Sequence, residues 1–167
     1  RVPFVGCEAD GQTGSVAAPA AGETPDVPGP AAGRLAYYRS HDLGVLAPRG
    51  WQCFSLYGSD GAILVVAPDP LGSPPLESHF RVVGRGIVLS FSYGGTSGRF
   101  AVASAIFRLF PRHRAFAEQV AAEEIALGLQ EPLSPADHVT RLSDDLINFT
   151  TAPRAIGLGT SGRLSPS

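Results

Sequence analysis

The chain has 167 residues, a formal net charge of −2, a hydrophobic fraction of 44% and a charged fraction of 17%. The apolar share excludes an intrinsically disordered chain, and the glycines lack the three-residue period of collagen. The charge balance shows none of the basic excess expected of a nucleic-acid-binding protein. The length predicts a single domain over residues 1–167 that is large enough to bury a core.

The N-terminal fifth of the chain is predicted to be mostly irregular. A short apolar stretch at residues 1–7 predicts a strand or arm. Residues 8–33 contain four prolines among Gly, Ala and small polar residues, which excludes a helix or a central strand. We therefore expect a long Gly/Pro/Ala-rich loop over about residues 8–33, most simply a linker.

Two short elements are predicted next. Residues 31–40 predict a short helix, because Leu35 and Tyr38 are three positions apart and can share one helical face. Residues 44–50 contain two glycines and Pro48, and predict a turn.

Two β-hairpins are predicted from strand patterns that flank turn residues. The first pairs residues 51–57 with 62–67 across a Ser-Asp-Gly turn. Its second strand is apolar on both faces, which indicates a position inside a sheet. The second hairpin pairs residues 138–142 with 146–151 across a Ser-Asp-Asp turn.

A helical segment is predicted over about residues 99–127. Phe100, Ala103, Phe107 and Phe110 form an apolar stripe, Pro111 ends or kinks the helix, and Phe116 and Val120 are expected to face inward beyond it. Gly128 is expected to stop the segment.

The same sequence patterns predict the remaining connections and the fold class. Residues 68–78 are expected to be a loop, residues 80–93 a strand or bent pair, and residues 152–167 a polar tail. Helices segregated from hairpins predict an α+β fold, an antiparallel sheet built from hairpins with the helical segment packed on one face.

The loop before the helical segment is a candidate anion site. Residues 94–99, GGTSGR, contain glycines that let a ligand approach the backbone, next to free N–H groups at a helix start and the charge of Arg99. The loop lacks the lysine and the spacing of a P-loop. The commoner alternative is that Thr96 or Ser97 caps the helix.

Arg49 and Trp51 form a second candidate site. Arginine and tryptophan are frequent interface anchors, so an exposed pair predicts a recognition patch. A lone tryptophan is, however, usually buried, and a packed corner beside Cys53 is the favoured alternative.

The histidines give little support for catalysis. None of His41, His79, His113 and His138 has zinc-motif spacing, so neither a metal nor any other cofactor is predicted. A small hydrolase would use Ser97 or Ser90 as the nucleophile, with a base from His79, from His138 beside Asp137, or from His41 beside Asp42. The Gly-x-Ser-x-Gly elbow is absent, and the hydrolase stays an alternative.

Arg108, Arg112, His113 and Arg114 form a local basic cluster. Cations near the end of a helix complement its dipole, which is the simpler interpretation. A surface for an acidic partner is the alternative.

The sequence contains two cysteines, Cys7 and Cys53. They allow one disulfide, which would close the N-terminal third of the chain and stabilise the fold by about 4 kcal/mol in the loop-entropy model. Two buried free thiols in a reducing compartment are the alternative. No stretch of the sequence reaches the ~18 apolar residues that a transmembrane helix needs.

Four stretches of the sequence resemble a group of uncharacterised secreted proteins of Gram-negative bacteria. They are residues 44–59 (GVLAPRGWQCFSLYGS), 2–7 (VPFVGC, with Asp10 and Gly11), 96–100 (TSGRF) and 157–160 (GLGT). The resemblance implies export and favours the Cys7–Cys53 bridge, but it supplies no catalytic residue. Members of the group continue with further apolar segments, so this chain is expected to have an incomplete sheet or a variant end.

Together these observations predict an exported protein, secreted or periplasmic, that acts by binding rather than catalysis. The expected partner is a protein of the bacterial envelope, which this protein would inhibit, cap or scaffold. A small envelope hydrolase and a structural surface component are the alternatives. No oligomeric state is predicted.

Overall fold

The computed structural model describes residues 1–69, 84–123 and 132–160. Contacts divide the chain into two compact units, Arg1–Phe91 and Ser92–Ser167. Two helices and antiparallel-rich sheets confirm the predicted α+β class. Within the described residues, no helix combines the length and the apolar character that a membrane span requires.

The first unit contains two sheets. One has the order β1–β3–β4 and the other the order β2–β5–β6–β7. The strands of the first sheet are β1 (Phe4–Gly6), β3 (Leu35–Arg39) and β4 (Gly44–Pro48). Those of the second are β2 (Ala9–Gly11), β5 (Gln52–Tyr57), β6 (Gly61–Ala67) and β7 (Ile87–Ser92).

The core of the first unit is shared by both sheets. Its buried residues are Cys7, Ala36, Tyr38, Ala47, Leu64 and Val66. Strands β5 and β6 form the predicted hairpin, with Tyr57 opposite Ala62. Strand β6 lies between β5 and β7 and is buried along nearly all of its length, as its apolar sequence predicted.

The N-terminal arm adds a parallel strand to each sheet. Strand β1 pairs with β3 and strand β2 pairs with β5, both in parallel, whereas the hairpins of the same sheets are antiparallel. The predicted arm at residues 1–7 is therefore an edge strand. The segment expected to be a loop contains β2 and a 3-10 helix, Gly29–Gly33.

Two predictions between residues 31 and 50 were wrong. Residues 35–39 form strand β3 rather than a helix, and residues 44–48 form strand β4 rather than a turn. Burial in β3 alternates, with Ala36 and Tyr38 inside, which is the two-residue period of a strand. The turn proper lies after Pro48, where Gly50 has a φ of 80°.

The described residues of the second unit contain two α-helices. They are α1 (Arg99–Leu109) and α2 (Arg114–Glu123), joined by a 3-10 helix, Pro111–His113. Their core consists of Ala103, Ile106, Ala117 and Val120, with Phe100, Phe107 and Phe110 half-buried against it. The apolar stripe is therefore confirmed, and the helical segment is divided at Pro111.

The inward position expected for Phe116 was wrong. Its side chain is exposed and lies near Gly94, because the next residue, Ala117, occupies the buried face of α2. The predicted end of the helix at Gly128, most of the loop over residues 68–78 and the start of the strand expected from residue 80 lie outside the described residues.

The second predicted hairpin is confirmed in the same unit. Strands β8 (Asp137–Arg141) and β9 (Ile147–Thr151) are antiparallel, with Val139 opposite Phe149. The segment expected to be a polar tail turns back onto this hairpin as far as a 3-10 helix, Leu158–Thr160. The Ala152 N–H donates to the Ala136 carbonyl, and the Ser134 hydroxyl donates to the Ile156 carbonyl.

Candidate functional site

Cys7 and Cys53 form a disulfide, as predicted, with their Cα atoms 5.4 Å apart. Cys7 follows β1 and is buried, and Cys53 lies on β5. The Cys7 N–H also donates to the Arg39 carbonyl of β3. The bridge therefore ties the N-terminal arm to the second sheet at the point where the arm leaves the first.

Arg49 is held by the backbone of its own chain. Its Nε donates to the Leu35 carbonyl and one terminal nitrogen donates to the Ala32 carbonyl, each at 3.0 Å. The guanidinium thus joins the turn after β4 to the segment that leads into β3. These contacts hold the guanidinium against the corner formed by residues 48–51, and Arg49 itself is exposed to solvent.

Trp51 lies in the same corner and is half-buried against the core of the first unit. The backbone N–H of Trp51 donates to the hydroxyl of Tyr38 at 3.0 Å, and that hydroxyl donates to the Pro48 carbonyl at 2.8 Å. Burial raises the pKa of Tyr38, and the hydrogen bonds with the backbone at Trp51 and Gly50 lower it by less. From the sequence, Tyr38 served only to predict a helix over residues 31–40 and was not identified as a site residue.

The Gly94–Arg99 loop is closed by interactions of its own. The Thr96 hydroxyl donates to the Tyr93 carbonyl, and Arg99 donates to the Thr96 carbonyl at 3.0 Å and to the Glu123 carboxylate at 3.1 Å. Glu123 therefore supplies the negative charge that an anion was expected to bring. The structure brings Thr96 and Arg99 together and places exposed Ser97 beside them.

The expectation that Thr96 or Ser97 caps the helix was wrong. Gly98 occupies the N-cap position of α1, so the cap has no side chain that can accept a hydrogen bond. The Arg99 N–H donates instead to the Thr96 carbonyl at 3.0 Å, a turn-like bond that replaces a side-chain cap.

The residues considered for a hydrolase have other arrangements. His41 contacts Asp42 at 2.9 Å on an exposed turn. The Asp137 carboxylate accepts hydrogen bonds from the Thr151 hydroxyl at 2.6 Å and from the Leu158 N–H at 3.0 Å, so it anchors the segment after β9. His138 is exposed on β8, Ser90 is exposed on β7, and His79 lies outside the described residues.

A surface cavity lies beside β2 in the first unit. It has a volume of about 350 Å³, and Glu8, Asp10, Ser15 and Phe54 are among its lining residues. None of the described residues that line it is a histidine. Nor does the described part of the chain contain a group of three His, Cys, Asp or Glu residues able to hold a metal ion.

Three members of the basic cluster contact carboxylates, whereas Arg108 donates to the Ser104 carbonyl at 3.3 Å. Arg114 binds Glu118 at 2.8 Å on the same helix. Arg112 binds Asp144, and His113 contacts Asp145, so two neighbouring basic residues meet two neighbouring aspartates of the turn between β8 and β9. The sequence shows both charged pairs, but no local pattern joins residues that lie 32 positions apart.

The hairpin β8–β9 and the segment after it expose large apolar side chains. Leu142 and Leu146 flank the turn and are 60% and 56% exposed, and Ile156 is 78% exposed. Val139 and Phe149 form an exposed cross-strand pair. The sequence analysis missed this group, because alternating apolar residues in a strand predict a buried face.

Comparison with family models, curated proteins and solved structures finds no match for this chain.

Proposed function

We propose that this protein is exported to an oxidising compartment of a bacterial envelope and acts there by binding a partner protein. The observation that carries the binding role is the number of exposed apolar side chains on the β8–β9 hairpin and the segment after it. Five large hydrophobic residues between positions 139 and 156 are at least 36% exposed, namely Val139, Leu142, Leu146, Phe149 and Ile156. Grouped exposed apolar side chains are typical of interaction surfaces.

The disulfide supports the export half of the proposal. Disulfides persist in the periplasm and outside the cell, whereas cytosolic thiols are kept reduced. The Cys7–Cys53 bridge joins two sheets and lies partly in the core, so it has a structural position. Detection of the protein in the periplasmic or culture fraction of its source cells tests export, and its confinement to the cytosol contradicts it.

Binding is favoured over catalysis by what the polar candidates already contact. Arg49 is bound by two backbone carbonyls, and Arg99 is bound by a carboxylate. Asp137, the expected partner of His138, holds Thr151 and Leu158. These groups are used in maintaining the fold, which leaves the apolar hairpin as the best-supported functional surface.

The test is retention of a partner by the hairpin. Immobilised wild-type protein is incubated with envelope extract of the source bacterium without reductant, beside the variant L142S/L146S. The matched control is Phe91→Ser, which removes a 53% exposed aromatic residue from the other unit. We expect a protein retained by the wild type and the control and lost with L142S/L146S. Equal retention by all three contradicts the proposal.

A further inference from the structure

The junction between α1 and α2 presents two basic side chains that the chain's own acidic turn covers. Arg112 and His113 lie in the 3-10 helix Pro111–His113. A terminal nitrogen of Arg112 binds the Asp144 carboxylate, and Nε2 of His113 contacts the Asp145 carboxylate. Two consecutive carboxylates therefore contact two consecutive basic residues.

This contact is held at the surface. The side chains of Arg112 and Asp144 are 68% and 55% exposed, and those of His113 and Asp145 are 46% and 73% exposed. Ion pairs in water are weak, since solvent and salt compete with each partner. An acidic group of another molecule that reaches the junction can therefore compete with Asp144 and Asp145 for Arg112 and His113.

Apolar packing does not fix the turn in place. Leu142 and Leu146, which flank it, are more than half exposed, so they bury little surface against the helices. At the base of the turn, Arg141 donates to the Leu109 carbonyl and keeps the hairpin beside α1. The acidic tip can therefore leave the two basic side chains while the hairpin stays in place.

We propose that the Arg112–His113 surface is a docking site for an acidic segment of the partner protein, and that the Asp144–Asp145 turn occupies it as an internal competitor. This inference rests on the proposed binding function and names the chemistry of the partner. Charge complementarity carries it, because the turn itself shows that the surface accepts two adjacent carboxylates. Arg114, beside these two residues, is paired with Glu118 on its own helix.

The test measures binding of an acetylated and amidated hexa-aspartate peptide to the full chain by calorimetry at low ionic strength. We expect the variant D144N/D145N to bind it more tightly than the wild type, by up to about fivefold for each exposed pair that no longer competes. Adding R112Q/H113Q to that variant should abolish binding. The control D42N/D60N makes the same charge change in the other unit and should keep the wild-type affinity.

Three results would overturn the proposal. They are equal affinity of the wild type and D144N/D145N, an equal gain in D42N/D60N, and undiminished binding after R112Q/H113Q. If D144N/D145N does not fold, the proposal is tested by adding the peptide to the wild type and following its amide resonances by NMR. The peptide must then shift the resonances of Arg112, His113 and residues 143–146, and unchanged resonances overturn the proposal.

The two proposals fail in different ways. A hexa-aspartate peptide that does not bind, together with a partner still lost with L142S/L146S, rejects the acidic docking site and leaves the binding function standing. If the peptide does not bind and L142S/L146S retains the same proteins as the wild type, both proposals are rejected.

Discussion

The backbone N–H of Trp51 donates a hydrogen bond to the hydroxyl of Tyr38, 3.0 Å away. The same hydroxyl donates to the Pro48 carbonyl, so one buried side chain of β3 satisfies both ends of the turn between β4 and β5. Arg49 fixes the middle of that turn through the carbonyls of Ala32 and Leu35. The corner of the first unit is thus held by the Tyr38 side chain from outside the turn and by the Arg49 side chain within it.

Replacing Tyr38 with phenylalanine should destabilise the protein by about 1–3 kcal/mol, because the Trp51 N–H and the Pro48 carbonyl each lose a partner. Urea unfolding followed by the fluorescence of Trp51, the sole tryptophan, measures the loss. Tyr37→Phe, on the same strand but with a half-buried ring, is the control and should cost less. Equal losses would contradict the role of the Tyr38 hydroxyl.

The raised pKa of Tyr38 predicts a loss of stability in alkaline solution. Burial favours the neutral phenol in the folded state, so the folded protein retains this proton more tightly than the unfolded chain. The contribution is complete below a pH of about 10, the ordinary pKa of tyrosine, and declines as the pH rises through the folded value. The unfolding free energies of the wild type and Tyr38→Phe should therefore converge above pH 10. Parallel curves would contradict this.

Removing the disulfide should destabilise the fold by about 2–5 kcal/mol. The double variant C7A/C53A leaves no free thiol and isolates the effect of the cross-link. Thermal unfolding with and without dithiothreitol measures it, and the reductant should lower the Tm of the wild type alone. A wild-type Tm that does not respond to reduction would show that the bridge contributes nothing to stability.

In the helical core, Ile106→Ala should cost about 2–5 kcal/mol, the usual range for truncating a buried aliphatic side chain. Phe107→Ala should cost less, although Phe107 lies in the apolar stripe. Ile106 is 8% exposed, whereas Phe107 is half-buried and contacts Arg114 across its ring. Chemical unfolding followed by circular dichroism compares the two, and a larger loss for Phe107→Ala would contradict the observed packing.

Gly157→Ala should detach the segment after β9 from the hairpin. A Cβ atom at Gly157 would lie 2.3 Å from a carboxylate oxygen of Asp137, the group that accepts the Leu158 N–H. The Gly159 N–H donates to the Thr151 hydroxyl at 2.8 Å. Amide exchange at Leu158 and Gly159 should accelerate as their hydrogen bonds to Asp137 and Thr151 weaken. Gly95→Ala, where a Cβ meets nothing within 4 Å, is the control and should leave that exchange unchanged. Unaltered exchange in Gly157→Ala would show that the segment adapts.

Short-range patterns were sufficient for the elements whose structure depends on neighbours in sequence. The hairpins β5–β6 and β8–β9 have turn residues between their strands, and α1 begins after a glycine-rich loop, one residue before its apolar stripe. Here the favoured backbone and the apolar period agree, so the local sequence determines the element.

Local patterns failed where pairing with a strand distant in sequence determines the secondary structure. The spacing of Leu35 and Tyr38 suits a helix, but over five residues it does not exclude a strand. Pairing of β3 with both β1 and β4 settles the matter by burying Ala36 and Tyr38. For the same reason, the parallel pairing of the N-terminal arm has no signature in the residues of the arm.

The candidate sites divide in the same way. The sequence by itself determined the α+β class, the two cysteines available for a bridge, and the charged and aromatic residues able to bind something. Only the tertiary structure decided what those residues contact: Arg99 meets Glu123, and Arg112 meets Asp144. Charge pairing acts through space over a few ångströms, and folding brings together residues that the sequence keeps 24 and 32 positions apart.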